Sequence, residues 1–229
     1  MSQSPASDFP ASDIDDLPLL VLASASPGRA RILTDAGIGF QVIVSEVDED
    51  AAVAAAVERF GGLDPADTAL LLARAKAEAV AALEDADGAV VLGCDSVFEF
   101  EGAAYGKPYT AEAATERWHA MRGKSGILHT GHWLVDNRST EDDDGGTGAT
   151  VGAVSSAAVH FEAVSDAEIE AYVATGEPLP CAGGFTIDGR GAAFLRKVDG
   201  DPHTVVGLSV STLRRLLESA QLSVTDLWD

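Results

Sequence analysis

A short apolar run at residues 19–23 passes directly into a helix-forming segment, and this succession constrains the fold more than any other part of the chain. The run predicts a buried strand. Ser26 is a favourable N-cap and Pro27 suits a first helical turn. The turn between strand and helix directs unpaired N–H groups and the positive end of a helix dipole at one place, which favours phosphate. An ordinary strand-to-helix connection is the alternative, because such turns are common in α/β domains.

Segments typical of strands and helices alternate along the rest of the chain, which predicts an α/β fold. Residues 89–93 form a continuous apolar run of the kind found in central strands. Asp64 and Pro65 open a long predicted helix that continues to about residue 84. The parallel part of such a sheet places functional side chains at the carboxyl ends of its strands.

The length of the chain allows one large domain or two small ones, and we expect a single domain over residues 19–229. Residues 1–18 are rich in Ser, Asp, Pro and Ala, which predicts a disordered tail and not a signal peptide. Residues 137–150 are polar, acidic and Gly-rich without periodicity, so we expect a flexible surface loop there. The sequence does not indicate whether that loop has a function.

The charge balance limits the partners that the chain can bind. Its 37 acidic and 15 basic residues give a net charge of −22, which disfavours nucleic-acid polymers and anionic membranes. A nucleotide would also be repelled unless positive charge is gathered locally. No apolar run is long enough to span a bilayer. Cys94 and Cys181 have no metal or redox spacing, so we expect reduced thiols and a cytoplasmic protein.

Carboxylates that follow predicted strands are the first candidates for chemistry. Asp95 comes directly after the apolar run at 89–93. A carboxylate there can coordinate a divalent metal or accept a proton from water. Glu49 belongs to an acidic cluster, with Glu46, Asp48 and Asp50, that follows another predicted strand. A solvated loop or the N-terminus of a helix would explain that cluster equally well.

A few cations are placed where they could bind phosphate. Arg29 lies in the first turn of the helix that follows residues 19–23 and carries a fork of donors. Lys76 shares a helix face with Leu72 and Val80, although a lysine covering apolar surface is the alternative. Lys107 lies in a Gly-Lys-Pro turn. Together with the carboxylates, these residues favour a metal-assisted reaction on a phosphorylated small molecule, without naming the reaction.

Eight short segments occur in the order and approximate spacing of the Maf-type nucleoside triphosphate pyrophosphatases, which the chain resembles over about residues 19–218. They are LASASPGR (22–29), SEVDE (45–49), ARAK (73–76), LGCDS (92–96), GKP (106–108), GKSG (123–126), AGGFTIDGRG (182–191) and VGL (206–208). The resemblance implies a cytoplasmic nucleoside triphosphate diphosphatase with a role in nucleotide house-cleaning. Its products would be the monophosphate and pyrophosphate, and its cofactor a divalent cation, Mg²⁺ or Mn²⁺.

The resemblance also implies a fold and a set of site residues. The fold is a twisted mixed β-sheet flanked by helices, with a cleft between two lobes, as in Maf-like and inosine triphosphatase-like proteins. The implied catalytic residues are Asp95, Lys76 and Glu49, and the first and last of these would also hold the metal. The implied substrate-binding residues are Ser24, Ser26, Arg29, Ser96, Lys107 and Asp188.

Three departures from the family pattern leave the preferred base open. The chain has Gly28 where members commonly carry Arg or Trp, Ser96 where one group has Thr, and Asp188 where that group has Gln. Three other functions are alternatives: a nucleotide-binding regulator of cell division with little turnover, an inosine/xanthosine triphosphate pyrophosphatase, and a simple phosphatase. Whether the chain forms a homodimer is also left open.

Overall fold

The computed structural model describes residues 19–140 and 145–229, so the predicted tail at 1–18 and the centre of the 137–150 loop lie outside the described residues. The strands are β1 (Leu20–Leu22), β2 (Phe40–Val42), β3 (Val90–Phe100), β4 (Ala103–Tyr105), β5 (Ser125–Asp136), β6 (Thr150–Phe161) and β7 (Leu195–Asp199). The α-helices are α1 (Pro27–Asp35), α2 (Glu49–Phe60), α3 (Pro65–Ala81), α4 (Ala111–Met121), α5 (Asp166–Ala174), α6 (Pro202–Val206) and α7 (Val210–Leu217).

The strands form one mixed sheet in the order β2-β1-β3-β5-β6-β7, with β4 paired to β3. Strand β1 is parallel to both β2 and β3, and all other pairs are antiparallel. The α/β prediction and the expected mixed sheet flanked by helices are therefore confirmed. No helix in the described part of the chain is long and apolar enough to cross a membrane.

Strand β3 extends well beyond its parallel neighbour. Its pairing with β1 ends at Leu92 opposite Leu22, whereas its pairing with β5 continues to Glu99 opposite Ile127. Asp95 therefore lies inside β3, and the expectation that it terminates a strand is wrong. It nevertheless lies beyond the carboxyl end of β1, where the parallel part of the sheet stops.

Helix α3 covers the sheet face to which Asp95 points, and two strand glycines allow it to lie very close. A Cβ on Gly93 would be 2.2 Å from the carbonyl oxygen of Ala73, and a Cβ on Gly131 would be 2.3 Å from that of Ala69. The helix ends at Ala81, a few residues before the predicted limit. This contact brings Lys76, on the inner face of α3, against β3.

The opposite face carries two separate hydrophobic clusters along the same long strands. One contains residues of α1 and α7, including Leu33 and Leu213, packed on Leu92 and Leu134. The other is aromatic; it includes Trp118 of α4, Phe98, Phe161 and Phe185, whose rings meet edge to face. The two clusters form the cores of two lobes.

The ends of the 137–150 loop are anchored by hydrogen bonds. Arg138 donates to the carboxylate of Asp136 from Nε at 2.8 Å, and from Nη2 to the carbonyl oxygen of Ala220 at 2.8 Å. Thr147 donates to the same carboxylate from its backbone N at 2.7 Å. The described ends of this segment are therefore attached to the first lobe.

Candidate active site

A cavity of about 550 Å³ lies where β1 ends, between the start of α1 and the segment at 180–188. Its lining includes every residue for which the sequence predicted a catalytic, substrate-binding or metal-binding role. These are Ser24, Ser26, Arg29, Glu49, Lys76, Asp95, Ser96, Lys107 and Asp188. Val206 lines the cavity as well, so the fold brings together residues from seven of the eight family-like segments.

The ammonium group of Lys76 joins two carboxylates at one end of the cavity. Its Nζ lies 2.6 Å from Oδ1 of Asp95 and 2.7 Å from Oε1 of Glu49. Lys76 and Asp95 are buried, whereas the Glu49 side chain is 48% exposed at the first turn of α2. Asp48 caps that helix by accepting from the backbone N of Ala51, which leaves Glu49 oriented toward Lys76.

The cations of the cavity stabilise the ionised form of Glu49. Partial burial raises the pKa of Glu49, but the hydrogen bond and charge of Lys76, with further contributions from Lys107 and Arg29, outweigh it. The pKa of Glu49 is therefore below its ordinary value. This carboxylate is charged at neutral pH and available as an oxygen ligand or hydrogen-bond acceptor.

The turn between β1 and α1 is built around the guanidinium of Arg29. Nη1 donates to Oγ of Ser24 at 2.9 Å, Nη2 to Oγ of Ser96 at 3.2 Å, and Nε to the carbonyl oxygen of Gly207 at 2.8 Å. Three of the five N–H donors of an arginine are thus used inside the protein. Arg29 holds the turn, β3 and Gly207 together, in addition to adding positive charge to the cavity.

The N-terminus of α1 faces the cavity as the sequence predicted. Ser26 is its N-cap and accepts from the backbone N of Arg29 at 3.4 Å, and Pro27 occupies the first turn. That turn contains no acidic residue. The positive end of the helix dipole is therefore not neutralised by a neighbouring side chain of the same turn.

The far wall of the cavity belongs to the second lobe. Lys107 follows β4 and is exposed, next to Gly106, whose carbonyl oxygen accepts from the Arg117 side chain and from the backbone N of Gly183. Asp188, predicted as a substrate-binding residue, forms an ion pair with Arg31 of α1. This pair joins α1 of the first lobe to the far wall of the cavity.

Sequence reasoning missed two groups that shape the site. Thr130 is fully buried and its Oγ1 lies 2.8 Å from Oγ of Ser96, while donating to the carbonyl oxygen of Thr204. Arg31 was not considered as a partner of Asp188. Thr130 is a neighbour of Ser96 because of the register between β3 and β5. The spacing of residues along the sequence does not by itself determine that register.

Asp95 and Glu49, the two predicted metal ligands, present the hard carboxylate oxygens that Mg²⁺ and Mn²⁺ prefer. Among residues 19–140 and 145–229 no group of three or more His, Cys, Asp or Glu side chains could hold a metal ion. Mg²⁺ is commonly held by one or two carboxylates together with substrate phosphates. The donor set therefore fits a metal that binds with a nucleotide, and not an all-protein metal cage.

The family model described as Maf-like protein matches residues 19–220. A protein of Leifsonia xyli subsp. xyli is 52% identical over 92% of this chain and 96% of its own length. Relatives from Streptomyces coelicolor (49% identical; 91% and 94% covered) and Salinispora tropica (51%; 93% and 88%) are equally similar. All three are named nucleoside triphosphate pyrophosphatase.

Among solved structures, the Staphylococcus aureus Ham1 protein aligns with 88% of this chain and 93% of its own at 16% identity. The TM-score of this alignment is 0.34.

Proposed function

The chain belongs to the family of Maf-like proteins, and from this premise we propose that it is a nucleoside triphosphate pyrophosphatase. It hydrolyses a nucleoside triphosphate to the monophosphate and pyrophosphate, as the names of its relatives indicate for those proteins. One observation links this reaction to particular residues of the chain. Lys76 lies between Asp95 and Glu49, in a cavity that Arg29 and Lys107 also line.

The cavity gathers positive charge in a chain whose net charge is −22. Lys76, Lys107 and Arg29 converge with the N-terminus of α1 on one space. Such a local concentration of donors offsets the repulsion that a triphosphate meets from the rest of the molecule. We assign the triphosphate to this end of the cavity, with Lys107 and the start of α1 as its principal contacts.

Asp95 is the residue we assign to the attacking water. Its Oδ1 is bonded to Lys76, so Oδ2 is the atom we assign to orienting the water and accepting its proton. The water oxygen attacks the α-phosphorus in line as the bond to the bridging oxygen of the β-phosphate breaks, and pyrophosphate leaves. Lys76 holds the Asp95 carboxylate in place through this hydrogen bond.

Asp95 and Glu49 are also the side chains we propose to hold Mg²⁺ or Mn²⁺, with substrate phosphates completing the coordination. When bound, such an ion neutralises charge on the phosphate oxygens and polarises them.

Both cysteines are unpaired, Cys94 buried and Cys181 partly so. Free thiols support a reducing, cytoplasmic compartment.

The decisive experiment compares the protein with its Asp95→Asn variant across a panel of ordinary and modified nucleoside triphosphates, with Mg²⁺ or Mn²⁺. Because asparagine keeps the shape of Asp95 but accepts no proton from water, we expect turnover to fall by about 10²–10⁴-fold. Asp87→Asn, on the exposed surface, is the matched control and should keep full activity. Pyrophosphate, orthophosphate and the monophosphate are quantified separately.

Three results would overturn the assignment. Near-normal turnover in Asp95→Asn would remove the proposed base. Release of orthophosphate in place of pyrophosphate would indicate a phosphatase. Tight nucleotide binding without any product would indicate a regulator.

A further inference from the structure

Glu177 lies outside the cavity lining, yet its carboxylate holds the segment that forms one wall of the cavity. That wall is the glycine-rich segment, defined as residues 183–191, of which residues 185–188 line the cavity. Residue 177 follows α5 and precedes this segment in the chain. Glu177 is not among the functional residues that the sequence predicted.

Both oxygens of Glu177 accept hydrogen bonds from the glycine-rich segment. Oε1 accepts from Oγ1 of Thr186 at 2.6 Å and from the backbone N of Gly191 at 2.9 Å. Oε2 accepts from the backbone N of Arg190 at 3.0 Å. The three bonds close the segment into a loop around one carboxylate, and they fix residues on both sides of Asp188.

Glycines allow the backbone to approach the carboxylate this closely. A Cβ on Gly189 would lie 2.7 Å from Oε1 of Glu177, and a Cβ on Gly191 would lie 2.6 Å from the carbonyl oxygen of Thr186. Burial raises the pKa of Glu177, but the hydrogen bonds from Thr186, Gly191 and Arg190 lower it to about 2. The carboxylate therefore stays ionised, and its bonds are of the stronger charge-assisted kind.

The start of the glycine-rich segment is held by a different set of contacts. Trp118 donates from Nε1 to the carbonyl oxygen of Gly184 at 2.8 Å, and the backbone N of Gly183 donates to Gly106 at 3.2 Å. These contacts join the first residues of the segment to the aromatic core and to the Lys107 turn. Glu177 supplies the corresponding attachment for the later residues.

The part of the cavity beside this segment suits a flat ring better than a phosphate. Phe185 and Ile187 of the segment line the cavity next to the anionic Asp188, and the apolar Leu128 and Val206 also belong to the lining. Apolar and aromatic walls with a few polar groups are typical of sites that bind the ring systems of small molecules. The glycine-rich segment is accordingly placed to contact the base and sugar of a nucleotide whose phosphates lie at the charged end.

We propose that Glu177 is a positioning residue for nucleotide recognition: its carboxylate fixes the glycine-rich segment in the shape that binds the base and sugar, without itself contacting the substrate. The inference rests on the function proposed above. It separates two parts of the site, since Asp95 and Lys76 lie on β3 and α3 and do not depend on Glu177 for their contacts.

The first experiment compares the steady-state kinetics of Glu177→Ala, Glu177→Gln and the protein itself over the nucleotide panel. We expect Glu177→Ala to raise KM about tenfold and to narrow the differences in kcat/KM between bases, with kcat changed by less than about threefold. Glu177→Gln keeps an acceptor for Thr186 and Gly191 but turns an N–H toward Arg190, so its KM should be intermediate. Glu170→Ala, exposed on α5, is the matched control.

The second experiment measures the attachment of the segment without using activity. Trypsin cuts after Arg190, whose side chain is 72% exposed although its backbone N is bonded to Glu177. Glu177→Ala should be cut at this bond at least about tenfold faster under native conditions, because local opening becomes easier. Cleavage at other sites should keep its rate.

Each outcome has one meaning. Faster cleavage with an unchanged KM for every nucleotide, or a loss confined to kcat, overturns the proposed role in recognition. An unchanged cleavage rate overturns the attachment itself. If Glu177→Ala does not fold, Glu177→Gln, which removes the single bond from Arg190, gives the same two measurements. If the unmodified protein releases no pyrophosphate from any nucleotide, the proposed function fails, while the cleavage result still decides whether Glu177 holds the segment.

Discussion

At the scale of single residues, the environment of Lys76 decides between two interpretations of the sequence. A lysine that only covers apolar surface would extend its ammonium into water. Instead, Nζ is enclosed between Asp95 and Glu49. Burying an unpaired ammonium is costly, and removing it would leave two carboxylates facing each other. The residue is therefore part of the charged centre, as its place in the family-like motif implied.

His132 gives the first prediction at this scale. Its Nε2 accepts the backbone N–H of Ser209 at 2.8 Å and Nδ1 donates to the carbonyl oxygen of Thr130, so the buried ring is neutral. Burial, followed by the charge of Arg29, lowers the pKa of His132 from 6.5 to about 4. Between these values the unfolded chain binds a proton that the folded one does not, so stability falls as the pH falls.

The contribution of the neutral His132 ring to the free energy of unfolding is complete above pH 6.5. It is lost progressively down to about pH 4, for a total on the order of 3 kcal/mol. Urea unfolding of the protein and of His132→Gln at pH 7 and pH 4.5 measures it. The free energy of unfolding of His132→Gln should depend less on pH than that of the unmodified protein. His119→Gln, on the surface, should behave as the unmodified protein does. If the free energy of unfolding of His132→Gln changed with pH as much as that of the unmodified protein, the argument would be refuted.

How far single residues could be predicted depended on whether their partners are near in sequence. The N-cap role of Ser26 follows from its neighbour Pro27 and is confirmed. The bonds of Arg29 to Ser96 and Gly207 join residues far apart in the chain, and no local pattern indicates them. Arg29, which the sequence predicted as a phosphate-binding residue, for this reason also has a structural role.

At the scale of elements, the close contact between α3 and β3 gives a second prediction. A methyl group on Gly93 would overlap the backbone of α3 at Ala73 and Ala77. Gly93→Ala should therefore displace the helix, lower the free energy of unfolding by about 1–3 kcal/mol, and reduce pyrophosphate release by moving Lys76 away from Asp95.

Gly62→Ala is the matched control, because a Cβ there would meet no atom within 4 Å. Urea unfolding and the rate of pyrophosphate release are measured on both variants. A Gly93→Ala protein with unchanged stability and activity would show that α3 can move away without consequence.

Strand lengths show why element boundaries were less predictable than element types. The apolar run at 89–93 correctly indicated a central strand, but β3 continues to Phe100, and its residues as far as Glu99 pair with β5. Its length is set by that partner, some thirty residues later in the chain. The position of Asp95 within the strand was therefore missed, while its position beyond β1 preserved the prediction of a site there.

At the scale of the whole molecule, the Arg31–Asp188 ion pair joins α1 of the first lobe to the glycine-rich segment of the second. The side chains are 54% and 33% exposed. Exposed pairs of this kind contribute little to stability, so a double-mutant cycle with Arg31→Ala and Asp188→Ala should give a coupling of about 0.2–1 kcal/mol. In 1 M NaCl the coupling should vanish, since the Debye length falls to about 3 Å.

Urea unfolding of the two single variants and the double variant gives this coupling. A value above 2 kcal/mol that persists in high salt would contradict the view that the two lobes are joined mainly by other contacts. Among those other contacts are the long strands, because β3, β5 and β6 contribute residues to both hydrophobic clusters.

These shared strands limit how the protein can be divided or recombined. Strands β3, β5 and β6 have 11, 12 and 12 residues, and each runs the full distance between the two cores. A chimaera that exchanged one lobe for that of a relative would cut all three strands at mid-length and break their ladders. Changes of nucleotide preference are therefore better engineered by grafting the loops around the cavity onto an intact sheet.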